Sequence, residues 1–134
     1  MKLIVNIDVD DLDRAIDFYT AAFDLRCERR LFEGSVAELV GASSTIHLLH
    51  KPAGTRASSA TNERRHYARH WTPVHLDFEV SDIAAAVTRA VTAGATLERE
   101  VQDFDWGQHA ELRDPFGHGI CLVRFSPQGY SATR

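Results

Sequence analysis

Apolar and polar side chains alternate from Leu3 to Val9, so that Leu3, Val5, Ile7 and Val9 take one face of an extended segment and Ile4, Asn6 and Asp8 the other. This predicts a strand with one apolar and one mixed face. The period then lengthens. Leu12, Ala15, Ile16, Tyr19 and Phe23 recur at helical spacing, and Asp10 or Asp11 stands where a side-chain oxygen can cap the first turn. After Leu25 the chain returns to short β segments at 27–32, 35–40 and 45–50, separated by Glu33-Gly34 and Gly41-Ala42. The predicted order is strand, helix and three strands.

The same order then repeats. His75-Leu76-Asp77-Phe78-Glu79-Val80 answers Ile4 to Val9, a helix is predicted over 82–93 and closed by Gly94, and strands follow near 96–101, 109–113 and 119–125. Asp114-Pro115-Phe116-Gly117 forms the last turn. Subtracting positions gives 75 − 4 = 71 and 82 − 11 = 71 early in the copies and 121 − 47 = 74 late, so three extra residues lie in the second copy or the connection. Each copy is too small to enclose a core alone. The expectation is a single α+β domain over 1–134 with module 1 at about 1–50, a connection at 51–72 and module 2 at about 73–127, and the seam between modules is the natural place for a ligand.

Composition narrows the function classes. With 134 residues, 44% apolar, 25% charged and a formal charge of −4, the chain suits one globular domain and no nucleic-acid partner. No run reaches the ~18 apolar residues of a membrane span and no signal-peptide pattern opens the chain, so a cytoplasmic protein with no membrane partner is expected. Cys27 and Cys121 are then free thiols. Glycine-rich phosphate loops, Gly-x-Ser-x-Gly elbows and Cys-x-x-Cys pairs are missing, which removes the usual signatures of nucleotide, acyl-transfer and dithiol chemistry. The connection carries five cationic residues against Glu63 alone, with His66, His70 and Trp71 among them. It reads either as a solvated linker or as a basic cover favouring an anionic ligand.

Strand parity selects a site. If Val74, Leu76, Phe78 and Val80 face the helix, then His75, Asp77 and Glu79 line the opposite surface, matched by Ile4, Asn6 and Asp8 in the first copy. On the closing strands, His47 and Cys121 are the corresponding pair. Histidine nitrogen and cysteine sulfur suit zinc and related metals, and three protein donors with an open position describe a catalytic site. The alternative is a metal-free pocket in which the histidines make hydrogen bonds and Cys121 is an apolar filler. Asn6, Asp8, Asp77, Glu79 and Trp106 are the candidate ligand contacts, Trp106 as a ring that stacks on a planar molecule or as plain packing. The acids favour a cationic ligand, or one of them serves as a base.

These residues resemble the vicinal oxygen chelate superfamily, which includes glyoxalase I, bleomycin-resistance proteins, fosfomycin-resistance enzymes and extradiol dioxygenases. The carriers are Asp11 to Tyr19, Val74 to Val80, Trp106-Gly107 and Asp114-Pro115-Phe116-Gly117-His118-Gly119-Ile120. The resemblance implies paired βαβββ modules whose curved mixed sheets form a cup, within a homodimer, with metal donors at positions matching Ile4, His47, His75 and Cys121. Ile4 replaces a common histidine or glutamine, and Cys121 a common glutamate. The expected function is binding of a small organic molecule in the cup without the full family metal site. The alternative is a metal-dependent lyase, isomerase or dioxygenase. It would hold one divalent metal, zinc being most compatible with His47, His75 and Cys121, and would use Glu79 or Asp77 as base.

Overall fold

The computed structural model describes residues 1–133, in two compact units that divide after Ala68. In the first, β1 (Ile4–Val9) leads into α1 (Leu12–Phe23), then β2 (Arg26–Leu31), β3 (Val36–Val40) and β4 (Thr45–His50). The sheet order is β1-β4-β3-β2, with β1 parallel to β4 and the remaining pairs antiparallel. Asp11 is the cap that forms, its Oδ1 accepting the Arg14 amide at 3.0 Å. Asp24 ends the helix in the left-handed region at φ 54°, which aspartate tolerates better than most residues. The buried stripe of α1 is Leu12, Ala15, Phe18, Tyr19 and Ala22, so Phe18 and Ala22 enter the core where Ile16 and Phe23 were expected. Phe18 meets Tyr19 edge-on at 4.9 Å, a contact that the spacing of aliphatic positions does not reveal.

The second unit repeats the design with β5 (Leu76–Glu79), α2 (Ile83–Ala93), β6 (Thr96–Phe104), β7 (Gly107–Arg113) and β8 (Gly119–Phe125), followed by a 3-10 turn over Gly129–Thr133. Its order, β5-β8-β7-β6 with β5 parallel to β8, is that of the first sheet. The chain is thus α+β, with two tandem modules of one helix on one four-stranded mixed sheet. Asp82 caps α2 as Asp11 caps α1, and Gly94 closes it. Val74, expected on the covered face, is instead exposed, because the strand begins only at Leu76.

Registers locate the three extra residues. Asp11 and Asp82 differ by 71, the first hairpin partners Arg26 and Thr96 by 70, their partners Val40 and Arg113 by 73, and His47 and Cys121 by 74. The helix segment is one residue shorter, the β6–β7 hairpin three longer and the turn before β8 one longer. That last turn is built on Asp114, 2% exposed, whose Oδ1 accepts the amides of Phe116 at 2.8 Å and His118 at 2.9 Å. Asp114→Ala would strand both amides beside the fully buried Phe116, and is expected to cost about 2–3 kcal/mol in urea unfolding.

The start of the connection is folded rather than a solvated linker. Gly54 N donates to Arg65 O at 2.8 Å, Arg65 N to Thr55 O at 2.8 Å and Ala57 N to Glu63 O at 2.9 Å, a small antiparallel hairpin. Arg65 Nε then reaches Asp8 Oδ2 on β1 at 2.7 Å, and the Tyr67 hydroxyl donates to Lys51 O. No helix among the described residues is long and apolar enough to cross a membrane.

Candidate functional site

On the face of each sheet turned away from its helix, a glutamate on the third strand of the module organises a row of polar side chains. In module 1, Arg29, Glu38, His47 and Asn6 stand abreast on β2, β3, β4 and β1. Arg29 Nε donates to Glu38 Oε1 at 2.9 Å, and Glu38 Oε2 lies 3.0 Å from His47 Nε2. Hydrogen bonds from Arg29 first and His47 second hold the Glu38 carboxyl below its ordinary range.

A bulge makes this row possible. Arg26↔Val40 and Cys27↔Leu39 sum to 66, a register that would set Glu28 against Glu38; the shift after Cys27 raises the sum to 67 and brings Arg29 there instead. Module 2 repeats the device. Thr96↔Arg113 and Leu97↔Leu112 sum to 209, which would oppose Glu98 to Glu111, and the shift after Leu97 substitutes Arg99. Arg99 and Glu111 lie 3.8 Å apart. The displaced acids take other partners, Glu28 with Arg26 and Glu98 with Arg69.

In module 2 the place of His47 belongs to Cys121, which pairs in register with Glu111 on one side and Asp77 on the other. The residue is 8% exposed, and burial, followed by the Asp77 and Glu111 charges, pushes its thiol up to about 12. His75 Nε2 lies 3.1 Å from Asp77 Oδ1, and one donor atom each from His75, Asp77 and Cys121 fall within 4.8 Å of one another. A depression of about 300 Å³ opens here, bordered by Trp71, His75, His109, Glu111, Ile120 and Cys121 among others. Trp71, 81% exposed, stands at its rim. Arg69 lies over Gly119 and is clamped by both oxygens of Glu98 at 2.8 and 3.0 Å, which cancels much of its charge.

The predicted residues are distributed as follows. His75, Asp77 and Cys121 come together in module 2, and Glu79 follows on the same exposed face of β5, paired with Val123. His47 and Asn6 are neighbours in module 1, where Asp8 is engaged by Arg65. Trp106 sits in the β6–β7 turn, stacked on Phe104 at 5.0 Å and near Phe125 and Tyr130, while Trp71 supplies the pocket's tryptophan. Both cysteines are free thiols. Sequence reading missed Glu38, Glu111, Arg29 and His109. The signal that could have found the first three is the Glu-Arg dipeptide at 28–29 and again at 98–99, each ahead of a strand carrying a lone glutamate.

Nitrogen, oxygen and sulfur donors at these separations fit a zinc-like ion, so the residues present are compatible with the metal that the superfamily implies.

Comparison with known proteins agrees with this architecture. The glyoxalase-like domain family matches residues 4–123, and the chain belongs to that family and to the vicinal oxygen chelate superfamily. An uncharacterised protein of Mycobacterium bovis is 33% identical over 123 residues, covering 85% of this chain and 76% of its own. Anthracycline biosynthesis protein DnrV of Streptomyces peucetius is 32% identical over 130 residues, covering 96% of this chain but 42% of DnrV, so the chain spans less than half of that relative. Among solved structures, TnmS3, an antibiotic binding protein from Streptomyces sp. CB03234, superposes with a TM-score of 0.66 at 20% identity over 94% of this chain and 96% of its own.

Proposed function

We propose that the chain binds a small organic molecule in the module 2 depression. The carrying observation is one concavity of about 300 Å³ that combines the exposed Trp71 ring, apolar Leu112 and Ile120, and directional groups from His75, His109 and Glu111. Small-ligand sites have this composition, and they begin at about this size. The part of DnrV in anthracycline biosynthesis supports a planar aromatic ligand for which Trp71 offers a stacking face. The purified chain is expected to bind an anthracycline, followed by the drug's own fluorescence, and Trp71→Ala to weaken binding about tenfold. Binding unchanged in both Trp71→Ala and Glu111→Gln would refute this location.

A second reading is supported by the clustering of His75, Asp77 and Cys121, which would hold a divalent metal acting as Lewis acid, with Glu79 then the carboxylate left to accept a proton. Elemental analysis of untagged protein separates the two. About one equivalent of zinc, nickel, manganese or iron per chain, lost in His75→Ala, supports the metal-dependent lyase, isomerase or dioxygenase. Metal far below that level, with ligand binding intact, supports the binding protein. The family resemblance adds a homodimer to either reading, which sedimentation tests.

A further inference from the structure

The fixed charges around the module 2 depression do not cancel. Arg69, Glu98 and Glu111 border it, and Arg69 is already clamped by both oxygens of Glu98, so Glu111 is the charge left over. Of the cationic residues in the connection, Arg69 alone lies on that border, and the described lining residues therefore offer an anion no uncommitted guanidinium or ammonium. The two modules differ here. Glu38, at the place equivalent to Glu111, has a partner on each oxygen, with Arg29 Nε at 2.9 Å from Oε1 and His47 Nε2 at 3.0 Å from Oε2. At Glu111 the arginine stops 3.8 Å from Oε1, outside hydrogen-bond reach, and its side chain is 57% exposed, so water and salt screen its charge. The next place in the row holds Cys121 rather than a histidine, and among the described residues no hydrogen bond reaches the Glu111 carboxylate. An ionised carboxylate that borders a cavity and lacks donors is an acceptor for N–H groups carrying positive charge. Asp77, beyond Cys121 in the same row, adds to the negative potential.

We propose, taking the module 2 depression as the binding site, that its ligand is a cation, a planar aromatic compound carrying a protonated amine, and that Glu111 determines this specificity. The ammonium group donates to the Glu111 carboxylate, and the ring system lies against Trp71, whose face also attracts positive charge. Both residues border one cavity of about 300 Å³, so a single small molecule reaches them together. The equivalent place in module 1 is closed to such a ligand, because Arg29 and His47 already occupy both oxygens of Glu38.

Anthracenemethylamine and anthracenemethanol test this, being the same fluorescent ring system with an ammonium or a neutral hydroxyl at the same place. Titrated into the purified full chain at neutral pH, the amine is expected to bind about tenfold more tightly than the alcohol. Glu111→Gln should bring the two affinities within about twofold of each other. Arg99→Gln, which removes the competing cation, should instead widen the preference about threefold. Equal affinities in the parent, a preference that survives Glu111→Gln, or one that narrows in Arg99→Gln, with both compounds still weakened by Trp71→Ala, overturns the cation and leaves the depression standing as the site. No binding of either compound, or binding indifferent to Trp71→Ala, overturns the site and the cation with it.

Discussion

Gly107→Ala is expected to destabilise the chain severely. A Cβ at this position would lie 2.0 Å from the Arg124 carbonyl oxygen and 2.9 Å from the Phe125 Cα, both backbone atoms of the paired strand β8, and φ is +147°. Neither neighbour can swing aside as a side chain would, so relief requires separating β7 from β8 at the end where Ser126 N also donates to Trp106 O at 2.9 Å. Steric overlap with backbone and a disfavoured φ together should cost more than about 4 kcal/mol, against a total stability of about 5–15 kcal/mol for a domain. Because β7 carries His109 and Glu111, the module 2 pocket goes with it. Circular dichroism and urea titration check this. Gly34→Ala is the control: φ is +87° with open space around the added carbon, and about 1 kcal/mol is expected. Gly107→Ala as mild as Gly34→Ala would mean that the strand pairing here is far looser than described.

Alkaline loss of stability in the metal-free chain should trace to Cys121. The thiol, ordinarily near 9.0, is pushed up to about 12 in the fold, chiefly by burial and then by Asp77 and Glu111. Between those values the unfolded chain has released a proton that the folded chain keeps, so the unfolded state binds fewer protons and stability falls as pH rises. A displacement of that size corresponds to at most about 4 kcal/mol. Tyr67, raised from 10.0 to about 12 by burial and by the Asp8 charge, adds a smaller loss of the same sign beginning higher. Urea midpoints at pH 8, 9.5 and 11 for chelator-treated chain and Cys121→Ala measure the difference. The variant should lose distinctly less stability than the parent over this range. Parallel profiles would show that the buried thiol is not kept protonated by the fold.

The two helices, their Asp11 and Asp82 caps and the duplicated order of elements were all legible, because capping and side-chain alternation act over a few residues. Parity likewise placed His75 and Asp77 together, since residues two apart on an extended chain share a face whatever surrounds them. It failed at Val74, two residues ahead of the strand. The rotation of α1 toward Phe18 and Ala22 was not legible, because packing of the helix against β3 and β4 chose among several adjacent apolar stripes.

Membership of a fold with two equivalent halves was therefore written in local periodicities, along with the equivalence of His47 to Cys121 and of Ile4 to His75. What lies beside each of them was not. Glu38 meets His47 and Glu111 meets Cys121 only through cross-strand register, and one bulge in each hairpin decides whether a glutamate or an arginine stands next in the row. Arg65 on Asp8 likewise joins residues 57 apart in sequence. Such pairings depend on how distant segments slide against one another, and no short-range pattern encodes a shift of a single residue.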